Sequence, residues 1–182
     1  GNEEGLRNYL LSWAMNHNIP AFKDRIGNVI MKVPATKGYE DRPSVALQGH
    51  MDMVCVKREG SKHDFTKDPI EVMTDGNIVY AKDTSLGADN GIACAIILDI
   101  FSDEKAEHGP LEGIFTVNEE VGLTGAFNIE EKDVASRMLL NLVKKKAYFI
   151  LAVLAALMLL VKSVRTGQNQ KVKPSLLRYL AF

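Results

Sequence analysis

Apolar residues in this chain fall first at helical spacing and then in strand-length blocks. Leu6, Leu10, Trp13 and His17 recur every three or four residues, and Asn16 through Ile19-Pro20 closes that helix. Asn28 to Val33 reads as a strand ended by Pro34, entered through a turn at Asp24-Arg25-Ile26-Gly27. Ser44 to Leu47, Ile78 to Ala81, Ile114 to Val117 and Met138 to Leu142 read as further strands. From Asn90 to Phe101 the pattern is apolar nearly all round, which predicts a well-buried helix. Strands alternating with helices predict a three-layer α/β sandwich.

Charge changes this picture near residue 143. The chain has 182 residues and a net charge of −1. Residues 143–182 carry eight Lys+Arg and no acidic residue, so the first 142 hold fourteen basic and twenty-three acidic residues, a net of −9. Such a switch divides the chain into a domain over 1–142 and a basic, apolar tail over 143–182. The tail runs Lys144-Lys145-Lys146, then fifteen apolar residues from Ala147 to Val161. A spanning helix needs roughly 20, with about 17 as a lower limit, so a membrane anchor is disfavoured but stays open beside a core helix.

Near-neutral overall charge gives no electrostatic footprint for nucleic acid. Cys55 and Cys94 make no disulfide framework; both are expected to be core thiols, which fits a reducing cytoplasm. Gly1-Asn2-Glu3-Glu4 has no signal-peptide character and leads straight into the helical pattern, as though an earlier segment were missing.

The candidate chemistry lies in three short acidic clusters: His50-Met51-Asp52, Gly87-Ala88-Asp89-Asn90-Gly91 and Asn118-Glu119-Glu120. The first and third follow buried-strand patterns, and the second precedes the apolar helix. Residues at the ends of neighbouring strands converge on one crevice although distant in sequence. One imidazole with several carboxylates is a ligand set that zinc, manganese or cobalt accepts. His50 and Asp52, two apart on extended chain, face the same way, so one can bind while the other orients it. Asp89 is either a helix N-cap or a metal ligand. Glu119-Glu120 is either a solvated loop pair or a ligand beside a base that takes a proton from activated water. His17, His63 and His108 read as helix-end, surface or structural residues. No phosphate-binding glycine loop is present.

Taken together, five segments resemble the co-catalytic dinuclear zinc metallopeptidases, in the branch of the aminoacyl-histidine (Xaa-His) dipeptidases. They are Gln48–Val54, His63–Ile70, Leu86–Gly91, His108–Glu112 and Glu119–Phe127, and the resemblance covers about Asn2 to Leu142. It implies an incomplete three-layer α/β/α sandwich with a mixed sheet, acting on a small peptide substrate. By resemblance, His50 binds one metal, Asp89 bridges two and Glu120 binds the second. Asp52 orients His50 or tunes the site, and Glu119 is the general base. The reaction implied is hydrolysis of an Xaa-His dipeptide, its carbonyl polarised by metal and attacked by a bridging hydroxide. Two Zn2+ are the implied cofactors, with Mn2+ or Co2+ as alternatives. The peptide bond after Asp89 is expected to be cis.

The resemblance also implies departures. A further ligating aspartate is expected just after Met138–Leu142, where this chain has Val143. A distant histidine ligand is absent, as is the second domain that commonly forms the homodimer. Codons for Leu151–Met158 read two nucleotides in can give Gly-Cys-Ala-Gly-Gly-Ile-Asp, similar to the segment the family places here. The tail is therefore expected to be out-of-frame text after a small deletion at codon 143. Gene sequencing that finds codons unable to yield that reading would end the idea. A truncated, impaired dipeptidase is thus the leading expectation. A non-catalytic metal-binding or interaction fragment and a tail-anchored membrane protein stand as alternatives.

Overall fold

The computed structural model describes residues 1–142; the tail, with the anchor, core-helix and frame-shift readings made of it, lies outside the described residues. Helix α1 (Glu4–Asn16) is amphipathic as its spacing predicts, burying Leu10, Trp13 and Ala14. His17 ends it, stacking on Trp13 and bonding the Trp13 carbonyl through Nδ1 at 2.8 Å.

Five strands form the main sheet: β1 (Ala21–Lys23), β2 (Val29–Val33), β3 (Val45–His50), β6 (Leu111–Thr116) and β7 (Met138–Asn141). Their spatial order is β1-β2-β6-β3-β7. β3 runs parallel to both β6 and β7, while β2 runs antiparallel to β6, so the sheet is mixed. A separate hairpin of β4 (Val72–Thr74) and β5 (Val79–Ala81) stands apart from it. Helix α2 (Ala88–Ser102) packs on β3, and a single turn, α3 (Thr124–Phe127), follows β6.

The core joins both flanking helices to the sheet. Leu10 and Trp13 of α1, Val29 and Met31 of β2, Leu47 of β3, Ile97 and Phe101 of α2 and Phe115 of β6 share one apolar cluster. Gly113 of β6 admits the close packing of α2: a Cβ there would lie 2.8 Å from the Phe101 ring and 3.1 Å from Ile97. The all-round apolar pattern of the second helix is thus matched by burial on nearly every side.

Strands β1, β3, β4 and β6 differ from the sequence reading for physical reasons. β3 runs on through Gln48, Gly49 and His50, because Gln48 Nε2 donates to Thr116 Oγ1 at 3.1 Å and so satisfies its polar end inside the sheet. β6 starts at Leu111, because buried Glu112 is held by the Lys32 ammonium and backbone amides. β1 and β4 are too short to show a period. Cys94 is buried as expected, but Cys55 is exposed: the chain leaves the sheet after β3 and carries it to the surface. No helix among the described residues is long and apolar enough to cross a membrane.

Candidate metal centre

The parallel pair β3 and β6 end side by side, His50 pairing with Thr116 across the ladder. Everything at the centre hangs from those two carboxyl ends and from the start of α2. Hydrogen bonds lace the three together. Met51 N–H donates to the Thr116 carbonyl at 2.8 Å, and Leu142 N–H donates to the Gln48 carbonyl at 2.9 Å. Asn90, fully buried, accepts the His50 N–H on Oδ1 at 3.1 Å and donates Nδ2 to the Leu142 carbonyl at 3.3 Å. Asn90 therefore ties the helix start to the ends of both β3 and β7.

His50 is 1% exposed and its ring is oriented by its own loop. Nδ1 lies 2.9 Å from the Asp52 carbonyl oxygen, which can only accept, so Nδ1 carries the proton. In the neutral ring this leaves a lone pair on Nε2. That atom is buried and has no hydrogen-bond partner. Around it stand Asp89 Oδ1 at 3.3 Å and Glu119 Oε2 at 3.8 Å. A lone pair facing carboxylate oxygens is unfavourable, and an unsatisfied buried group costs about 1–3 kcal/mol. A cation shared among these atoms removes both penalties.

His50, Asp89 and Glu120 each offer one ligand atom, and the three atoms lie within 4.8 Å of one another. Imidazole plus carboxylates is a donor set that first-row divalent metals accept, so these residues fit an ion. His50 is buried while Asp89 and Glu120 are exposed, which leaves the centre open on its solvent side. Among the described residues, no lysine or arginine forms an ion pair with Asp89, Glu119 or Glu120.

Asp89 owes its position to an irregular helix start. Gly87, at φ 79°, turns the chain into α2, and Asp89 and Asn90 keep non-helical backbone angles. The Asp89–Asn90 peptide is cis. No side chain caps this helix, so the N-cap reading of Asp89 is not realised and its carboxylate stands beside His50 instead.

Asp52 lies behind His50, its Oδ1 3.4 Å from Nδ1. Its two oxygens also accept the Glu119 and Glu120 amides. Of the residues singled out in the sequence, His50, Asp52, Asp89, Glu119 and Glu120 therefore all gather in one place. His108 bonds the Gly109 carbonyl and His63 packs edge-on against Phe65, neither belonging to the cluster. What the sequence reading missed is Asn90 as a brace; its only signal was a polar residue opening an otherwise apolar helix.

No family model matches the chain. It is 44% identical over 140 residues to the cytosol non-specific dipeptidase of Escherichia coli (strain K12), a match covering 77% of this chain and 29% of that protein. The crystal structure of aminoacylhistidine dipeptidase from Vibrio alginolyticus superposes with a TM-score of 0.73 at 43% identity, over 79% of this chain and 29% of that one. The fold extends to the aminopeptidase PepT of Bacillus cereus, TM-score 0.64 at 23% identity, over 79% of this chain and 39% of that one. The chain thus spans under a third of the dipeptidases it matches at above 40% identity.

Proposed function

We propose that this chain, related in sequence and fold to the aminoacylhistidine dipeptidases over more than three quarters of its own length, carries part of a two-metal centre that hydrolyses dipeptides of the Xaa-His type. The observation that carries the reading is the buried, unpartnered Nε2 of His50, grouped with carboxylates of Asp89 and Glu120. In this reading His50, Asp89 and Glu120 would hold the metal, with Asp89 the carboxylate that two ions would share. Bound there, divalent cations supply Lewis-acid polarisation of a peptide carbonyl and lower the pKa of water towards about 7.

The chain's own residues then do three things. Asp52 holds the His50 ring so that Nε2 points at the cluster, through the backbone carbonyl contact at 2.9 Å. Glu119, half-withdrawn from solvent and 3.8 Å from Nε2, takes a proton from the attacking water and returns it to the leaving amine nitrogen. Asn90 keeps the start of α2 against β3, so that Asp89 stays in reach. Zinc, manganese and cobalt all suit these donors. One imidazole and two carboxylates form a small ligand set for two ions, so residues 1–142 are read as one portion of the complete centre.

Calorimetric titration of the chain with Zn2+ or Mn2+ tests the reading, together with hydrolysis of an Xaa-His dipeptide. Saturable binding weakened at least about tenfold in His50→Ala is expected, since losses even beyond the direct ligands cost about 10–100-fold. Equal affinity in His50→Ala and the parent would refute the metal centre. Binding without any hydrolysis, unchanged by Glu119→Ala, would favour a metal-binding fragment over a catalyst.

A further inference from the structure

Four consecutive backbone amides, from Val117 to Glu120, are each taken by a side chain from a distant part of the sequence. Val117 N–H donates to Asn28 Oδ1 at 3.0 Å, and Asn118 N–H donates to Glu3 Oε1 at 3.2 Å. The Glu119 and Glu120 amides donate to the two carboxylate oxygens of Asp52 at 2.9 Å each. Backbone donors leaving a strand end must be met by ladder, side chain or water. Here side chains meet all four, and the segment they fix is the one bearing both glutamates.

Asn28 sits at the base of this arrangement and is fully buried. Its Nδ2 donates to Asp24 Oδ2 at 2.7 Å and to the Gly125 carbonyl at 2.9 Å. A carboxylate only accepts, so the Asp24 contact fixes which end of the amide is NH2 and leaves Oδ1 facing Val117. Asp24 is itself immobilised, its Oδ1 accepting the amides of Ile26, Gly27 and Asn28. Gly125 N–H donates back to the Val117 carbonyl at 2.9 Å, closing a loop whose neck is Val117 and Gly125. One Asn28 side chain bonds both sides of that neck. The neck has no slack: a Cβ on Gly125 would lie 2.6 Å from Asn28 Oδ1 and 2.6 Å from Val117 N.

The geometry points to Asn28, assisted by Glu3, as a positioning residue for the metal centre: by clamping the neck of the 117–125 loop it sets where Glu119 and Glu120 stand relative to His50, without touching the metal. The inference rests on the metal-centre reading above. Asp52 holds the loop at the glutamates themselves; Asn28 and Glu3, the residues just before β2 and α1, hold it at Val117 and Asn118. Neither residue belongs to any of the acidic clusters.

The test uses the full chain and Co2+ as the probe, read by calorimetry and by visible absorption, which reports ligand geometry. Asn28→Ala is expected to weaken Co2+ binding by about tenfold or more and to alter the absorption bands, as loss of supporting contacts does at other metal sites. Leu10→Ala, a core truncation that removes none of the loop's hydrogen bonds, is expected to lower stability while leaving the spectrum unchanged. A folded Asn28→Ala chain with parental affinity and spectrum overturns the inference. If Asn28→Ala does not fold, Glu3→Ala decides by the same criterion. His50→Ala separates the two readings: parental Co2+ affinity there brings down the metal centre itself, and this inference with it. Affinity lost in His50→Ala but kept in Asn28→Ala and Glu3→Ala brings down the positioning role alone.

Discussion

Asp52 holds Glu120 by its backbone: Oδ2 accepts the Glu120 N–H at 2.9 Å, while Oδ1 accepts that of Glu119 at the same distance. A single carboxylate thus joins the loop after β3 to the loop after β6. It also lies 3.4 Å from the Nδ1 of His50, so the imidazole and the two glutamates are referenced to one buried acid. Hydrogen bonds to a charged acceptor contribute about 1.5–3 kcal/mol each, more than neutral ones.

Asp52→Asn is expected to lose this arrangement while keeping the side chain's shape. An amide offers one accepting oxygen, and its NH2 would face a backbone N–H. Stability should fall by about 1–3 kcal/mol, the cost of one unsatisfied buried donor. Zn2+ affinity should fall by about 10–100-fold, because the glutamates lose their shared reference. Urea denaturation and calorimetry measure the two effects. Parental Zn2+ affinity in Asp52→Asn would show that the loop needs no such anchor.

Glu112 makes stability depend on acid. It is buried in β6, where desolvation pushes its pKa up; hydrogen bonds from Ser136 and the Ala135 amide, with the Lys32 ammonium nearby, overcome this and hold it below the ordinary 4.5. Its carboxylate accepts the Ser136 N–H at 2.7 Å and so fixes the approach to β7. A carboxylate depressed in the folded state stabilises fully above its unfolded pKa, and that contribution fades as pH falls through the folded value. Unfolding free energy should therefore drop below about pH 4.5. Glu112→Gln should be less stable at pH 7 and show a shallower acid decline. Identical acid slopes for parent and variant would count against Glu112 as a source.

The two thiols should behave as opposites. Cys55 is exposed, whereas Cys94 is buried in α2, bonds the His50 carbonyl at 3.4 Å and has its pKa pushed up to about 12 by burial. Only the thiolate reacts with disulfide reagents. A chromogenic disulfide at pH 8 should release one equivalent rapidly from folded protein and two in denaturant. Two rapid equivalents from the folded chain would mean that the α2–β3 packing opens freely.

Much of this arrangement was legible in the sequence because burial leaves long apolar runs. α1, α2 and the cores of β2, β3 and β6 all announced themselves that way. The three acidic clusters were legible too, because carboxylates beside buried strands are hard to account for otherwise. What stayed hidden was polar burial. Glu112 and Gln48 interrupt apolar runs, so β6 looked too short at its start and β3 at its end. Asn28 and Asn90 read only as the first residues of a strand and of a helix, since nothing local tells that their side-chain amides bond backbone far away in sequence. Cys55 was misplaced for the converse reason: nearby apolar residues suggested a core that the chain had already left.

Gly49 and Gly91 stand on either side of the His50–Asn90 contact and should respond to the same substitution in opposite ways. A Cβ on Gly49 would lie 2.6 Å from Asn90 Oδ1 and 2.8 Å from the Ala93 Cβ. Asn90 cannot yield cheaply, because that oxygen accepts the His50 amide at 3.1 Å. Gly49→Ala should therefore push α2 off β3, costing about 1–3 kcal/mol as overpacking does. It should also carry Asp89 away from His50 and weaken Zn2+ binding. Around Gly91 nothing lies within 4 Å of a Cβ, and the residue is helical. There alanine removes the helix penalty of glycine, about 1 kcal/mol, so Gly91→Ala should be neutral or stabilising. Thermal melts of the two variants settle the matter. If Gly49→Ala melts as high as Gly91→Ala, the tight seat of α2 on β3 is not what places Asp89 beside His50.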